Sequence, residues 1–239
     1  MGRISLPIQD VMIDVYYNHD RKEIIIAHFK HGTSFLTDSL KDNPEWIYMK
    51  GNAETIGIEN LGESKTQFMS DRYKDYKKFM TWRSVEDSFA SAFCYEMRSG
   101  LASFVIDPKQ TDEEYIEVVE KFIEMAGGVE SMLTRWLSST VWSNGTLMSI
   151  FYALCFPKVI NNMIDTIDAI IPVSDLAGFC QSRDVPVPKK IANQTDKRIL
   201  ALTKQEFDKL GVYDKLKEYA APQYAYKEKL LQKPLYDTI

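Results

Sequence analysis

The sequence predicts a mainly α, α+β protein: a small N-terminal β-hairpin or sheet, a multi-helix core, and a C-terminal helical arm. Three observations predict it. Alternate residues Val11, Ile13, Val15 and Tyr17 are apolar, the period of a half-buried strand. Further along, apolar residues recur at the helical period behind clear capping signals. After the prolines at 186 and 188, short helical stretches follow with few core residues each.

Taken in order, residues 11–17 and the β-branched run 23–29 flank the polar turn Asn18-His19-Asp20-Arg21 and read as a hairpin. Residues 34–41 read as a short helix ended by Asn43-Pro44, with further strands at 46–50 and 55–59. From about residue 70 the period turns helical. Ser84 caps a helix over 84–98, and Thr111-Asp112-Glu113-Glu114 is a capping box. The helix it starts places Tyr115, Ile116, Val118, Val119, Phe122, Ile123 and Ala126 on one face, and Gly127-Gly128 end it.

Three core helices are expected next: one from Val129 to Asn144, one over 147–156 that is apolar all round, and one from Pro157 to Ile171 stopped by Pro172. Residues 183–190 read as an extended linker. Beyond it, Thr203-Lys204-Gln205-Glu206 reads as a second capping box, with short helices over 204–210, 212–221 and 224–231. The expected division is therefore 1–64, a β-containing region; 65–182, a helical core; 183–190, a linker; and 191–239, an arm.

At 239 residues, with 45% hydrophobic and 26% charged residues, the chain suits a folded globular protein and excludes a collagen-like or disulfide-scaffold class. No apolar run reaches the ~18 residues of a membrane helix, and no signal peptide is legible, so a soluble cytoplasmic protein without membrane contact is expected. The three cysteines, Cys94, Cys155 and Cys180, lie in apolar helical patterns with no CxxC pair, which suits small buried hydrophobes.

Catalytic signatures do not emerge. There is no Walker A loop, GxGxxG, GxSxG or HExxH, so no catalytic residue, metal or cofactor is expected. His19-Asp20 lies in the hairpin turn, too far from His28 to share a metal with it. His28 and His31 can approach each other, and are expected as an exposed loop pair. Glu113, Glu117, Glu120 and Glu124 form an acidic helix face, which favours a basic partner.

Charge is segregated. Residues 1–64 carry a net −4, 65–83 a net +4, 84–182 a net −9 and 183–239 a net +4. In residues 65–83 the cations Lys65, Arg72, Lys74, Lys77, Lys78 and Arg83 interleave with Phe68, Tyr73, Tyr76, Phe79 and Trp82. Cations neutralise phosphates while flat rings stack on bases, the pairing of single-strand binders. The candidate interface is Lys65, Arg72, Tyr73, Lys74, Tyr76, Lys77, Lys78, Trp82 and Arg83. On one helix, though, Asp71/Lys74 and Asp75/Lys78 are i, i+3 ion pairs and the rings are core, the competing reading.

In outline, a helical core with terminal extensions and a basic strip is similar to nucleocapsid proteins of segmented negative-strand RNA viruses, a likeness of architecture alone. The expected function is a non-enzymatic structural protein that oligomerises through its arm and binds single-stranded nucleic acid. A protein–protein adaptor without nucleic acid is the alternative, and an enzyme with scattered site residues the third. The arm's apolar positions Phe207, Leu210, Tyr213, Leu216, Leu230 and Leu231 are the expected oligomer contact, since they need a covering surface. Docking on the arm's own core would use the same positions.

Overall fold

A computed structural model describes residues 13–28, 30–49, 71–98, 109–138, 164–189 and 196–239. Its contacts group the chain into two units: residues 1–83, 156–193 and 228–239 form one, and 84–155 with 194–227 form the other. The second unit is thus inserted into the first along the chain. The predicted strand over 55–59 and the all-apolar helix over 147–156 lie outside the described residues.

The first unit is a five-stranded mixed sheet. Strands β1 (Ile13–Asn18), β2 (Glu23–His28), β3 (Trp46–Met49), β4 (Lys77–Trp82) and β5 (Ala169–Pro172) lie in the order β3-β1-β2-β4-β5. β1 pairs antiparallel with β2 and β3, whereas β2–β4 and β4–β5 are parallel. The hairpin and the strand at 46 match the sequence reading.

Residues 77–82 and 169–172 are strands where helices are expected. Both lie in a parallel region whose strands are buried on both faces, so residues 78–81 and 169–171 show no alternation of buried and exposed positions.

Helix α1 (Thr33–Leu40) covers one face of this sheet together with α5 (Leu176–Gln181), burying Phe35, Leu36, Leu40, Leu176 and Phe179 over Tyr16, Ile25 and Phe79. The Tyr16 hydroxyl is bonded to Thr37 Oγ1 at 2.9 Å, fixing α1 over β1. Gly32 precedes α1 at φ 85°, the left-handed region that favours glycine, and a Cβ there would push against Leu176 Cδ1.

The second unit is helical: α2 (Val85–Arg98), α3 (Asp112–Met125), α4 (Val129–Ser138), α6 (Lys197–Lys209) and α7 (Val212–Tyr219), with most of α8 (Ala221–Leu231). The α3 capping box forms as read: Thr111 Oγ1 accepts from Glu114 N and Glu114 Oε2 accepts from Thr111 N. The capping box expected at 203–206 does not form. Asp196 caps α6 earlier, accepting from Arg198 N and Ile199 N, and Thr203 lies mid-helix with its hydroxyl turned into the core.

There Thr203 Oγ1 donates to Ile199 O at 2.8 Å and accepts from the Tyr115 hydroxyl at 2.6 Å. Cys94 Sγ lies 3.2 Å away, so one buried polar knot joins α2, α3 and α6. Cys94 and Cys180 are buried and not joined in a disulfide, as small hydrophobes should be.

The C-terminal arm folds back on its own chain. Phe207 and Leu216 are fully buried, with Phe207 packed 5.6 Å from Phe89 and 4.9 Å from Phe93 by ring centroid. Leu210 and Tyr213 pack against the same core. The contacts read as an oligomer interface are therefore made in cis, and Leu230 is also buried. Leu231, at 51% exposure, is the exception. On the acidic face of α3, Glu120 is paired from this arm, with Lys209 Nζ 2.9 Å away. The linker is anchored too: Val185 is buried against the sheet's helical layer, and its N–H donates to Cys180 O.

The last residues run beside β5. Ile170 N donates to Pro234 O at 2.9 Å, and Leu235 forms a parallel bridge with Ile170.

Candidate nucleic-acid interface

The basic-aromatic stretch divides three ways. Residues Asp71–Tyr73 form a 3-10 turn and Lys77 opens β4, so the cations Arg72, Lys74 and Lys77 stand exposed at one end of the sheet. Tyr73 and Lys78 point into the protein and are buried. Trp82 and Arg83 sit at the other end of β4, roughly 16 Å away at ~3.3 Å per strand residue. Lys65 lies outside the described residues. The nine predicted residues thus do not form one surface.

Lys78 has a structural task instead. Its Nζ donates to Tyr73 O at 2.7 Å and Tyr76 O at 3.1 Å, pinning the turn that leads into β4. Burial pushes its ammonium below the usual lysine range, while Asp168 and Asp75 oppose that shift. Asp168 is fixed by the Lys78 backbone, accepting from Lys78 N at 2.8 Å. At the far end, Arg83 donates to Lys30 O at 3.0 Å.

Sequence reading missed the partner segment. The parallel pairing of β2 with β4 brings the hairpin turn against residues 72–77, and Lys77 N donates to Lys22 O at 2.9 Å. Lys22 holds φ 52°, the left-handed region that non-glycine residues rarely adopt. His19 from the same turn is bonded to the Tyr76 hydroxyl at 3.0 Å and stacks on Tyr73 with its ring 6.3 Å away. Tyr73 also meets Tyr17 at 5.2 Å and Tyr76 at 4.9 Å, and the Arg72 guanidinium lies 5.2 Å over its face.

The result is an aromatic floor of Tyr17 and Tyr73 with half-buried His19 and Tyr76 at its rim. Lys22, Arg72, Lys74 and Lys77 are exposed on the same two segments, with Lys77 in register with Glu23 on the sheet face opposite Tyr17 and Lys78. Asp20, Asp71 and Asp75 are exposed among them, so the positive excess is modest. Only the polar composition of the 18–22 turn hinted at this partner in the sequence.

The other histidines correct an expectation. His28 and His31 are buried, not exposed, with ring centroids 5.4 Å apart. His31 Nδ1 lies 3.4 Å from Thr81 O, because the turn after β2 folds over the ends of β2 and β4. Among the described residues, no group of three or more His, Cys, Asp or Glu could hold a metal ion, and no helix is long and apolar enough to cross a membrane.

Comparison with known proteins finds no matching family model, no matching curated protein and no matching solved structure.

Proposed function

We propose that this is a non-enzymatic binding protein of the assembly type, which holds single-stranded nucleic acid weakly and without sequence preference at the cationic end of its sheet. One observation carries the reading: two distant segments converge at one end of the sheet, Lys77 N donating to Lys22 O and His19 bonding the Tyr76 hydroxyl, so that the exposed cations Lys22, Arg72, Lys74 and Lys77 lie on the segments that carry these two rings. Four cations give contacts to phosphate, and two half-exposed rings offer a face or edge to bases. The interspersed aspartates keep the affinity low. Self-association narrows to the C-terminal tail, where Leu231, Leu235 and Ile239 are exposed.

The test is anisotropy of a labelled single-stranded oligonucleotide at rising salt. Each phosphate contact contributes a slope of about −0.7 in log K against log salt. The triple variant Lys22→Ala, Lys74→Ala, Lys77→Ala should bind more weakly and lower the slope by about 2. No shift of the oligonucleotide by wild-type protein at low salt would end this reading in favour of an adaptor.

A further inference from the structure

Glu23 opens β2 directly beside Lys22, and the β2–β4 register sets it opposite Lys77. Neighbours in register on parallel strands point to the same face, so the Glu23 carboxylate is the natural ion-pair partner of Lys77. It is taken by another group. Arg183, just past α5, grips Glu23 with two bonds, Nε to Oε2 at 3.1 Å and Nη2 to Oε1 at 3.2 Å. The two side chains are only 11% and 12% exposed.

Three rings hold the guanidinium in place: Phe179 at 3.9 Å, Phe79 at 4.9 Å and Tyr236 at 5.7 Å. Arg21 does not compete for Glu23, being directed to Glu45 and Asp184. Among the described residues, no ion pair engages Lys77.

We infer that Arg183 is a positioning residue for the anion-binding end of the sheet: by sequestering Glu23 it frees Lys77 for a phosphate of the bound strand. The inference rests on the nucleic-acid reading. It assigns a binding role to a residue that is nearly buried and needs no contact with the ligand. Without Arg183, Glu23 would draw Lys77 into a pair and cancel its positive charge at the site. The bidentate fork and the ring walls suit arginine and no other cation, since a planar guanidinium stacks on rings while matching a carboxylate.

The experiment compares four full-length proteins by oligonucleotide anisotropy across salt: wild type, Arg183→Met, Glu23→Gln and Glu23→Gln/Arg183→Met. Arg183→Met should bind about three- to tenfold more weakly, with a salt slope smaller by about 0.7, the loss of one contact. The double variant, which removes both charges, should recover wild-type affinity because Lys77 is free again. Replacing a nearly buried pair by neutral groups is also the change the fold tolerates best, so the double variant keeps the test open where Arg183→Met fails to fold.

Glu23→Gln alone should bind at least as tightly as wild type. Wild-type affinity in a folded Arg183→Met, or a double variant that remains weak, would overturn the inference; the latter would make Arg183 a direct contact. A wild type that binds nothing removes the nucleic-acid reading, and this inference with it.

Discussion

The Tyr236 hydroxyl donates to Asp175 Oδ2 at 2.7 Å, which locks the last residues of the chain onto the turn between β5 and α5. Burial first, and the Asp175 carboxylate second, push this phenol up to about 12. The Tyr236 ring also packs edge-on against Phe179 at 5.1 Å. Gly178 makes room for the pair, because a Cβ there would sit 2.5 Å from Asp175 Oδ1 and 3.0 Å from the Tyr236 hydroxyl.

This contact has a pH signature. The folded state favours the protonated phenol, whose ordinary value is near 10. The contribution to stability is therefore fully present below about pH 10 and is lost as pH rises from about 10 towards 12. Tyr236→Phe should cost about 1.5–3 kcal/mol at neutral pH, the range for a hydrogen bond to a charged acceptor. Urea unfolding at pH 7 and pH 11 checks it: the gap between wild type and variant should shrink at the higher pH. An equal gap at both would show that the phenol titrates normally.

The buried knot of Cys94, Tyr115 and Thr203 predicts a different asymmetry. Thr203→Val keeps the shape but removes the 2.6 Å acceptor of the Tyr115 hydroxyl and leaves it only the long contact to Cys94 Sγ at 4.0 Å, at a cost of about 1–3 kcal/mol. Thr203→Ser keeps the hydroxyl and should cost less. Thermal melts of both variants decide the matter. Equal losses would mean that the methyl packing, and not the hydrogen bond, is what counts.

How much of this was legible in the sequence depends on distance along the chain. The β1–β2 hairpin, α1 and the α3 capping box are local devices, set by residues a few positions apart, and they appear where the residues place them. β4 and β5 were not legible, because a buried parallel strand such as Ala169-Ile170-Ile171 shows no alternation and its partners lie tens of residues away. The aromatic residues at 73 and 79 could be read as stacking platforms only while the sheet that buries them was unknown. Lys22 and Arg183 escaped for the same reason: what defines them is the β2–β4 register and the Glu23 pair, neither of which has a local signal.

Lys22 separates stability from binding. Its left-handed backbone, φ 52°, costs a lysine roughly 1 kcal/mol that glycine does not pay. Lys22→Gly should therefore raise the melting temperature slightly or leave it unchanged, while weakening oligonucleotide binding. A variant that melts lower would show that the side chain holds the turn. One that binds as before would remove Lys22 from the interface.

The arm gives the last prediction, and it reverses what an oligomer contact would give. Were residues 191–239 a free arm, truncation after Val185 would leave a folded monomer. In the structure that truncation removes Ile199, Phe207, Val212, Leu216 and Ala220, all buried in the same core as Phe89, Phe93, Tyr115 and Val119. Fully burying one such aliphatic or aromatic side chain is worth about 1.5–3 kcal/mol, so the four larger ones lost together are worth about 6–12 kcal/mol, comparable with the ~5–15 kcal/mol by which a whole domain is stable. The truncated chain should lose cooperative unfolding and bind a hydrophobic dye. Phe207→Ala in the full chain, a milder version of the same change, should cost about 3–5 kcal/mol. Circular dichroism melts check both. A truncated protein that still melts cooperatively would mean that the helices before residue 139 form a core by themselves and that the arm is free to dock elsewhere.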